Sequence, residues 1–312
     1  MRFHFALAAA ALVACGPGAT TAPTTISDGS PARIVPTAGV AAFFDCLREN
    51  DIAVVSAHRG GPADGFPENA IETMEDVLRA APAIMEIDVA ATADGVLVLM
   101  HDDDLDRTTT GTGPVADRPY EDVRSLRLED NDGRPTSFTP PTLRDALRWS
   151  EDRTILQIDF KRSVRYEDVI QLVREERAES RVVYIAYTVA QARRLHRLAP
   201  NAVISVGIDD PSEYEQLAAM GFPSRLMLAW TGTDAPDAPL YDFLEERSVE
   251  AAFGTLGGRN SIDSQIARSG SDADYQRIAD LGATVLATDR PRKAAAALSL
   301  NDVSECGISP AR

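Results

Sequence analysis

Two histidines, His58 and His101, each follow a short apolar run and each precede a charged residue. Imidazole titrates near neutral pH, so a pair of histidines can take one proton and give another during a hydrolysis. A lone histidine is usually structural, but the sequence has only 4 histidines, and two of them at predicted strand ends favour an acid–base role. His196 lies among arginines of a predicted helix and is interpreted as part of a solvent-exposed basic face.

Three carboxylates and a lysine are predicted to converge near these histidines. Glu86 and Asp88 are two residues apart in one apolar run, and Asp159 and Lys161 are two apart at the end of another. Side chains two apart on a strand face the same side. Carboxylates without thiolates suit Mg²⁺ or Ca²⁺, and the lysine could hold an anionic phosphate. The alternative is that each carboxylate forms a structural ion pair with an arginine.

Alternating strands and helices must position these residues. Apolar or β-branched runs predict eight main strands, at 53–57, 84–89, 154–160, 182–187, 202–208, 226–230, 250–255 and 284–288. Helical periodicity predicts helices at 71–80, 142–150, 166–177, 189–198, 212–220, 240–247 and 275–281. This pattern predicts an α/β fold, a (β/α)8 TIM-type barrel, with a doubly wound open sheet as the alternative.

After the second strand, a short strand at 96–100 and an inserted excursion from 102 to 141 are expected, the excursion lying over the barrel mouth. The active site of such a barrel lies at the carboxyl ends of the strands, where the candidate residues fall.

Composition excludes several function classes. The chain has 312 residues, of which 44% are hydrophobic, so it can bury a substantial core. Its formal net charge of −17 argues against nucleic acid as the main partner, because phosphate contacts need a basic surface. Neither a Walker loop nor a strand-borne G-x-G-x-x-G is present, so nucleotide binding is not expected.

The first residues are typical of a targeting segment. Residues 1–14 combine a basic start with an apolar run too short to span a bilayer, which predicts a signal peptide. The Leu-Val-Ala-Cys sequence that ends at Cys15 resembles a bacterial lipoprotein signal, with Cys15 as the lipidated residue. Residues 15–39 are predicted to be a flexible lipid-anchored tether and residues 40–312 the barrel domain. The protein is therefore expected in the bacterial cell envelope, anchored to a membrane and facing the periplasm or the cell exterior.

Two further cysteines, Cys46 and Cys306, stand near the two ends of the predicted domain. In an oxidising compartment they form a disulfide or remain two buried thiols, and both alternatives are open. No Cys-x-x-Cys is present, so the spacing indicates neither a zinc nor a redox motif.

Five segments, taken together and in order, resemble the glycerophosphodiester phosphodiesterase family. They are HRGGPADGFPENAIETMEDVL from residue 58, EIDVAATADGVLVLMHDDDLDRTTTGTGPV from 86, PTLRDAL from 141, IDFK from 158 and GATVLATDRP from 282. The resemblance covers about residues 52–291. It implies a somewhat distorted (β/α)8 barrel, one divalent cation, Ca²⁺ or Mg²⁺, and hydrolysis of a small-molecule glycerophosphodiester to glycerol 3-phosphate and an alcohol.

By position, the resemblance also implies site residues. These are the general acid/base pair His58 and His101, the metal ligands Glu86, Asp88 and Asp159, the phosphate-contacting cations Arg59 and Lys161, and Glu68 and Asn69 of the supporting PEN element. The sequence departs from the family pattern at three places. Asp159 stands where the family usually has glutamate, Ala70 follows PEN in place of Thr or Ser, and the run 250–255 lacks the tryptophan often found there.

Two other functions are considered. One is a surface lipoprotein that keeps the fold and binds an envelope or host ligand without turnover, for which Asp159 is the favouring residue. The other is a phosphodiesterase that acts on lysophospholipid or sphingolipid, as a membrane tether favours. The sequence does not indicate a protein partner.

Overall fold

The centre of the structure is a barrel of parallel strands. The structure is a computed structural model that describes residues 29–298 and 304–311. Its strands, numbered along the chain, are β1 (Arg33–Ile34), β2 (Val54–Ala57), β3 (Ile84–Ala91), β4 (Leu97–Leu99), β5 (Leu156–Phe160), β6 (Val182–Ala186), β7 (Val203–Gly207), β8 (Met227–Trp230), β9 (Glu250–Gly254), β10 (Ala283–Thr288) and β11 (Ile308–Ser309). Its helices are α1 (Val40–Glu49), α2 (Ile71–Ala80), α3 (Tyr120–Val123), α4 (Leu143–Trp149), α5 (Tyr166–Glu175), α6 (Val189–Leu198), α7 (Pro211–Ala219), α8 (Ala238–Glu245), α9 (Ile262–Ser269), α10 (Asp274–Ala279) and α11 (Pro291–Ala297).

Strand pairing closes the barrel. The order is β2-β10-β9-β8-β7-β6-β5-β3, and β2 also pairs with β3. A doubly wound sheet would have two free edges, so that alternative is excluded and the predicted (β/α)8 barrel is confirmed. All eight predicted barrel strands are present, with ends within two residues of the predicted ones.

The alternation of side chains along β3 shows how the sequence directs polar groups into the barrel. Met85 and Ile87 are fully buried on one side of the strand, so Glu86 and Asp88 face the other. In the register of β3 against β5, Asp88 lies opposite Asp159. Strands of a parallel barrel are covered on both faces, which explains why these acids stand in otherwise apolar runs.

The excursion after the second barrel strand begins with the predicted hairpin. β4 pairs antiparallel with the end of β3, so that Val89 lies opposite Leu99. The hairpin and the residues that follow it build a small apolar cluster apart from the main core, made of Ala90, Val98, Met100, Leu105, Val115 and Val123. The excursion is therefore a packed element and not an open loop.

The amino end of the barrel holds elements that were not predicted. Helix α1 buries Phe43, Phe44 and Leu47, and α3, α9 and α11 are also additions to the predicted set. β1 pairs antiparallel with β11, with Ile34 fully buried opposite Ile308. Part of the predicted 15–39 tether therefore belongs to the folded domain, because its apolar residues find a partner strand near the other end of the chain.

The same end carries a covalent link. Cys46 of α1 and Cys306 form a disulfide across a sequence separation of 260 residues, with Cα atoms 5.6 Å apart. The predicted signal peptide, residues 1–14, and the predicted lipidation residue Cys15 lie outside the described residues. Within the described ranges, no helix is long and apolar enough to cross a membrane.

Candidate active site

The turn after β2 places His58 and brings a backbone amide to the carboxylates. His58, Arg59 and Gly60 form a short 3-10 turn in which Arg59 has a positive φ of 51°. This conformation lets the Arg59 amide donate a hydrogen bond to Glu86 Oε2 at 2.7 Å. Gly60 also has a positive φ, and a Cβ there would lie 2.8 Å from Met74 Cγ, so the turn requires glycine.

Three carboxylates meet at the carboxyl end of β3 and β5. One oxygen each of Glu86, Asp88 and Asp159 lies within 4.8 Å of the others. Partial burial and the neighbouring Asp88 carboxylate raise the pKa of Glu86 well above its ordinary value. The cluster therefore concentrates negative charge where water is scarce, a costly arrangement without a compensating cation.

Lys161 supplies part of this compensation. Its ammonium forms an ion pair with Asp88 Oδ1 at 2.6 Å and donates a hydrogen bond to Asp159 Oδ2 at 2.7 Å. Burial opposes ionisation of Asp88, but Lys161 and a hydrogen bond from Asn69 outweigh it and lower the pKa of Asp88. Asn69 is held by a reciprocal pair: its amide donates to Asp88 Oδ2 at 2.7 Å, and the Asp88 backbone amide donates to its Oδ1 at 2.9 Å.

One carboxylate oxygen of the cluster has no partner. Asp159 is 4% exposed, and its Oδ1 is buried without a hydrogen bond within the described part of the chain. Its Oδ2, by contrast, accepts from both Lys161 and the Tyr187 hydroxyl. A buried, unpartnered carboxylate oxygen beside two other carboxylates fits a hard divalent cation, which takes oxygen ligands.

His58 is braced from the last barrel strand. Its Nδ1 lies 2.7 Å from Asp289 Oδ1, directly after β10. Burial opposes ionisation of Asp289, but hydrogen bonds with His58 and the Gly257 amide, together with the nearby positive charge, outweigh burial and lower the pKa of Asp289. Behind it, the buried Asp263 carboxylate accepts from the Asp289 amide at 2.7 Å, from Thr288 Oγ1 at 2.8 Å and from the Tyr275 hydroxyl at 2.6 Å. Asp289 therefore stands on a buried hydrogen-bond network.

His101 is braced from the excursion. Its Nδ1 lies 2.6 Å from Asp102 Oδ1. The guanidinium of Arg107 donates to Asp102 at 2.6 Å and 2.9 Å and to Glu68 at 2.8 Å and 2.9 Å. Hydrogen bonds from Arg107 hold the pKa of Asp102 far below its ordinary value. Because Glu68 also binds Arg59, a chain of ion pairs connects the two histidine-bearing segments.

A cleft of about 790 Å³ opens at this end of the barrel. Its lining includes His101, Asp102, Arg107, Asp159, Lys161 and Tyr187. The two histidines thus stand on strands or turns next to β3, since β2 and β4 both pair with it. A ligand that enters the cleft meets the His101 imidazole, the Asp159 carboxylate of the cluster and the cations Lys161 and Arg107.

Several known proteins resemble this chain in sequence or in fold. The sequence profile described as the glycerophosphoryl diester phosphodiesterase family matches residues 58–196. A crystal structure of a glycerophosphoryl diester phosphodiesterase from Parabacteroides distasonis is 30% identical, covers 90% of this chain and 99% of that chain, and superposes with a TM-score of 0.81. This chain belongs to the glycerophosphodiester phosphodiesterase family. The predicted family and, at the level of that family, the predicted enzyme class are confirmed.

Two further relatives match a smaller share of this chain. Glycerophosphodiester phosphodiesterase 1 of Bos taurus is 39% identical over 104 residues, which are 32% of this chain and 31% of the bovine protein. The chain thus spans about a third of the length of that curated relative. A phosphodiesterase of Oleispira antarctica, solved in complex with the product sn-glycerol-3-phosphate, is 18% identical, covers 80% of this chain and 98% of its own and has a TM-score of 0.61. That likeness shows the shared fold.

The structure brings together most of the residues predicted for a glycerophosphodiester phosphodiesterase site. The carboxylates and Lys161 form one cluster, and Glu68 and Asn69 support it through Arg59 and Asp88. The two cations predicted to contact phosphate both bind carboxylates in this structure, although Arg59 Nε is buried and makes no hydrogen bond within the described residues. The roles of all these residues stay predictions.

Several residues around this site were given no role from the sequence. Asp102, Asp289 and Arg107 lie within the quoted motifs, next to or near a histidine or strand end, which was the available signal. Tyr187 gave none, because an aromatic residue at the end of an apolar run is usually core.

Strand β9, which lies in the run 250–255 that lacks the family's tryptophan, has an aromatic residue on the adjacent strand. Trp230 ends β8, and a Cβ added to Gly254 of β9 would lie 2.6 Å from its ring. An aromatic ring thus covers the carboxyl end of β9, but it comes from the adjacent strand.

Proposed function

We propose that this chain hydrolyses glycerophosphodiesters to glycerol 3-phosphate and an alcohol, with a divalent cation held by Glu86, Asp88 and Asp159. The observation that carries the proposal is the pair of histidine–aspartate contacts beside a carboxylate cluster at the barrel mouth. The family membership and the sn-glycerol-3-phosphate complex of the Oleispira relative support it.

The carboxylate set is suited to Mg²⁺ or Ca²⁺ because it offers oxygen ligands without thiolates. When bound, such a cation withdraws charge from the non-bridging phosphate oxygens. Arg59 and Lys161 are the residues proposed to contact the same phosphate, because their positive charges lie beside the cluster. Asn69 keeps Asp88 oriented.

The two histidines would carry the proton transfers. Each presents Nδ1 to an aspartate, which favours the tautomer with a proton on Nδ1 and leaves Nε2 for the reaction. One imidazole takes the proton of the attacking hydroxyl as the new P–O bond forms. The other gives a proton to the alcohol oxygen as its bond to phosphorus breaks. The attacking hydroxyl belongs to water or to the neighbouring glycerol carbon, which would produce a cyclic phosphate first.

The test is release of glycerol 3-phosphate from glycerophosphocholine by the full chain, with Mg²⁺ or Ca²⁺, with a chelator, and as His58→Ala. We expect cation-dependent release that the substitution abolishes, and ³¹P NMR of the reaction distinguishes a cyclic intermediate from direct attack by water. Activity only on lysophosphatidylcholine or sphingomyelin would show that the substrate is a lysophospholipid or sphingolipid and not a glycerophosphodiester. No release from any substrate by folded protein would favour the binding lipoprotein.

We further propose that the chain is anchored to a membrane of the bacterial envelope through a lipid on Cys15. The support is the resemblance of the sequence around Cys15 to a lipoprotein signal. Metabolic labelling with a palmitate analogue is expected to label the wild-type chain and not Cys15→Ser. Equal labelling of both would overturn the anchor.

A further inference from the structure

Tyr187 is the first residue after β6 and the most exposed of the large hydrophobic residues within the described ranges, at 66%. A tyrosine this exposed would ordinarily need no explanation. Its hydroxyl, however, reaches into the carboxylate cluster and donates a hydrogen bond to Asp159 Oδ2 at 2.8 Å. The Tyr187 ring thus lines the cleft, while its hydroxyl is hydrogen-bonded to Asp159.

The backbone at this point is fixed. The amides of Tyr187 and Thr188 both donate to Gln191 Oε1, at 2.7 Å and 3.1 Å, in the capping box that begins α6. A capped helix start restricts the position from which the tyrosine side chain extends. The hydroxyl is therefore delivered to Asp159 from a rigid element.

The two oxygens of Asp159 have different surroundings. Oδ2 accepts from the Tyr187 hydroxyl and from the Lys161 ammonium, whereas Oδ1 is buried and unpartnered within the described part of the chain. Two donors on one oxygen restrict rotation of the carboxylate. Oδ1 is therefore the oxygen that remains available to a cation. Lys161 alone would hold Asp159 less firmly than Lys161 and Tyr187 together, because its ammonium is a flexible point charge that also pairs with Asp88.

We propose that Tyr187 is a positioning residue whose hydroxyl orients Asp159 so that Oδ1 is presented to the divalent cation. It deepens the proposed function and rests on it, since the carboxylate cluster must hold a cation. Partners that orient a ligand from outside the coordination sphere are typically worth about 10- to 100-fold in metal affinity or activity. The side chain of Asp159 is one methylene shorter than that of glutamate, and the Tyr187 hydroxyl holds this shorter carboxylate in position.

The experiment measures the affinity of metal-free full-length protein for Mg²⁺ and for Ca²⁺ by calorimetry, as wild type and as Tyr187→Phe. This change keeps the ring and removes one hydrogen bond. We expect affinity about 10-fold weaker, with an unchanged melting temperature of the metal-free protein. The matched control is Tyr166→Phe, since the Tyr166 ring packs on Phe160, next to Asp159, at a centroid distance of 4.5 Å. This control should bind cations like wild type.

A double-mutant cycle sharpens the test. Asp159→Glu moves the carboxylate by one methylene, so Tyr187→Phe should cost much less in that background than in wild type. The same loss of affinity in both backgrounds would show that the hydroxyl acts independently of Asp159 and would overturn the proposal. So would unchanged or tighter cation binding by Tyr187→Phe.

Wild-type hydrolysis of glycerophosphocholine, assayed in parallel, separates the two proposals. A wild type that hydrolyses the diester while Tyr187→Phe binds the cation normally contradicts only the role of Tyr187. A wild type that binds neither cation and hydrolyses nothing contradicts both.

Discussion

The two ends of the barrel treat buried charge in opposite ways. At the carboxyl end, Glu86, Asp88 and Asp159 crowd together with one lysine among them. At the amino end, the buried acid Glu250 begins β9 and lies against Arg48 of α1, which also pairs with the less buried Asp45.

The covalent and backbone links are also unevenly distributed. The disulfide and the pairing of β1 with β11 both lie at the amino end, where they tie the beginning of the domain to its end. Repulsion among like charges costs stability and is useful only where a ligand relieves it. The comparison indicates that the amino end carries the links that hold the two ends of the domain together, whereas the carboxyl end gathers several like charges for chemistry.

The largest effect is expected for activity at the carboxyl end. Asp289→Asn removes the carboxylate beside His58 Nδ1 and allows the wrong imidazole tautomer, so kcat should fall about 1,000-fold, or about 4 kcal/mol. Steady-state kinetics with glycerophosphocholine measure it. The control is Asp272→Asn, which removes a nearby carboxylate that binds Arg290 instead. A kcat of Asp289→Asn within threefold of wild type would show that Asp289 does not orient His58 for catalysis.

Removal of the disulfide should act on stability alone. Cys46→Ser with Cys306→Ser releases a link between segments 260 residues apart and should lower the free energy of unfolding by about 3 kcal/mol. Urea denaturation measures the loss, and kcat at a temperature well below the transition should stay at the wild-type value. A large loss of kcat in folded protein would show that the two ends are coupled.

The buried acid at the amino end should give a pH-dependent stability. Burial raises the pKa of Glu250 from 4.5 to about 7, although Arg48 opposes the effect. Because the folded-state pKa is the higher one, the contribution of this residue is fully present below about pH 4.5 and is lost as the pH rises through 7.

Between pH 5 and pH 8, wild type should therefore lose about 2 kcal/mol more of its free energy of unfolding than Glu250→Gln. Exposed Glu245→Gln is the control and should follow wild type. Parallel pH profiles for wild type and Glu250→Gln would show that this residue does not titrate between these pH values.

The smallest effect is a gain in stability at the carboxyl end. Glu86→Gln removes one charge from the cluster and keeps an acceptor for the Arg59 amide. Since partial burial and Asp88 disfavour the ionised form of Glu86, the metal-free variant should be about 1 kcal/mol more stable at pH 8. Thermal denaturation with a chelator measures it. A less stable variant would show that the cluster is not under repulsion.

Much of the site was predictable because it depends on local patterns. His58 and His101 follow strands closely, and the two-residue spacing of Glu86 and Asp88 places both acids on one side of β3. The pairing of Asp88 with Asp159 follows once β3 and β5 are neighbours. The fold class was predictable for the same reason, since alternating apolar runs and helical periodicity specify the units of a barrel.

The supports of the site could not be predicted, because their partners are far apart in the chain. Asp289 lies 231 residues from His58, and Arg107 reaches back 39 residues to Glu68. Helix α1 and strand β1 were missed in a segment whose pairing partners lie near residue 308. Local periodicity carries no record of such contacts.

The sequence by itself determined the barrel, the residue types at its mouth and the family, since each is written in short segments of the chain. Only the tertiary structure decided which oxygen of Asp159 accepts hydrogen bonds and which has no partner within the described residues. That depends on where β5, β6 and the turn after β2 bring their side chains. Hydrogen bonds to Asp159 from Tyr187 and Lys161 are formed by spatial neighbours, and their geometry is set by packing of the closed barrel.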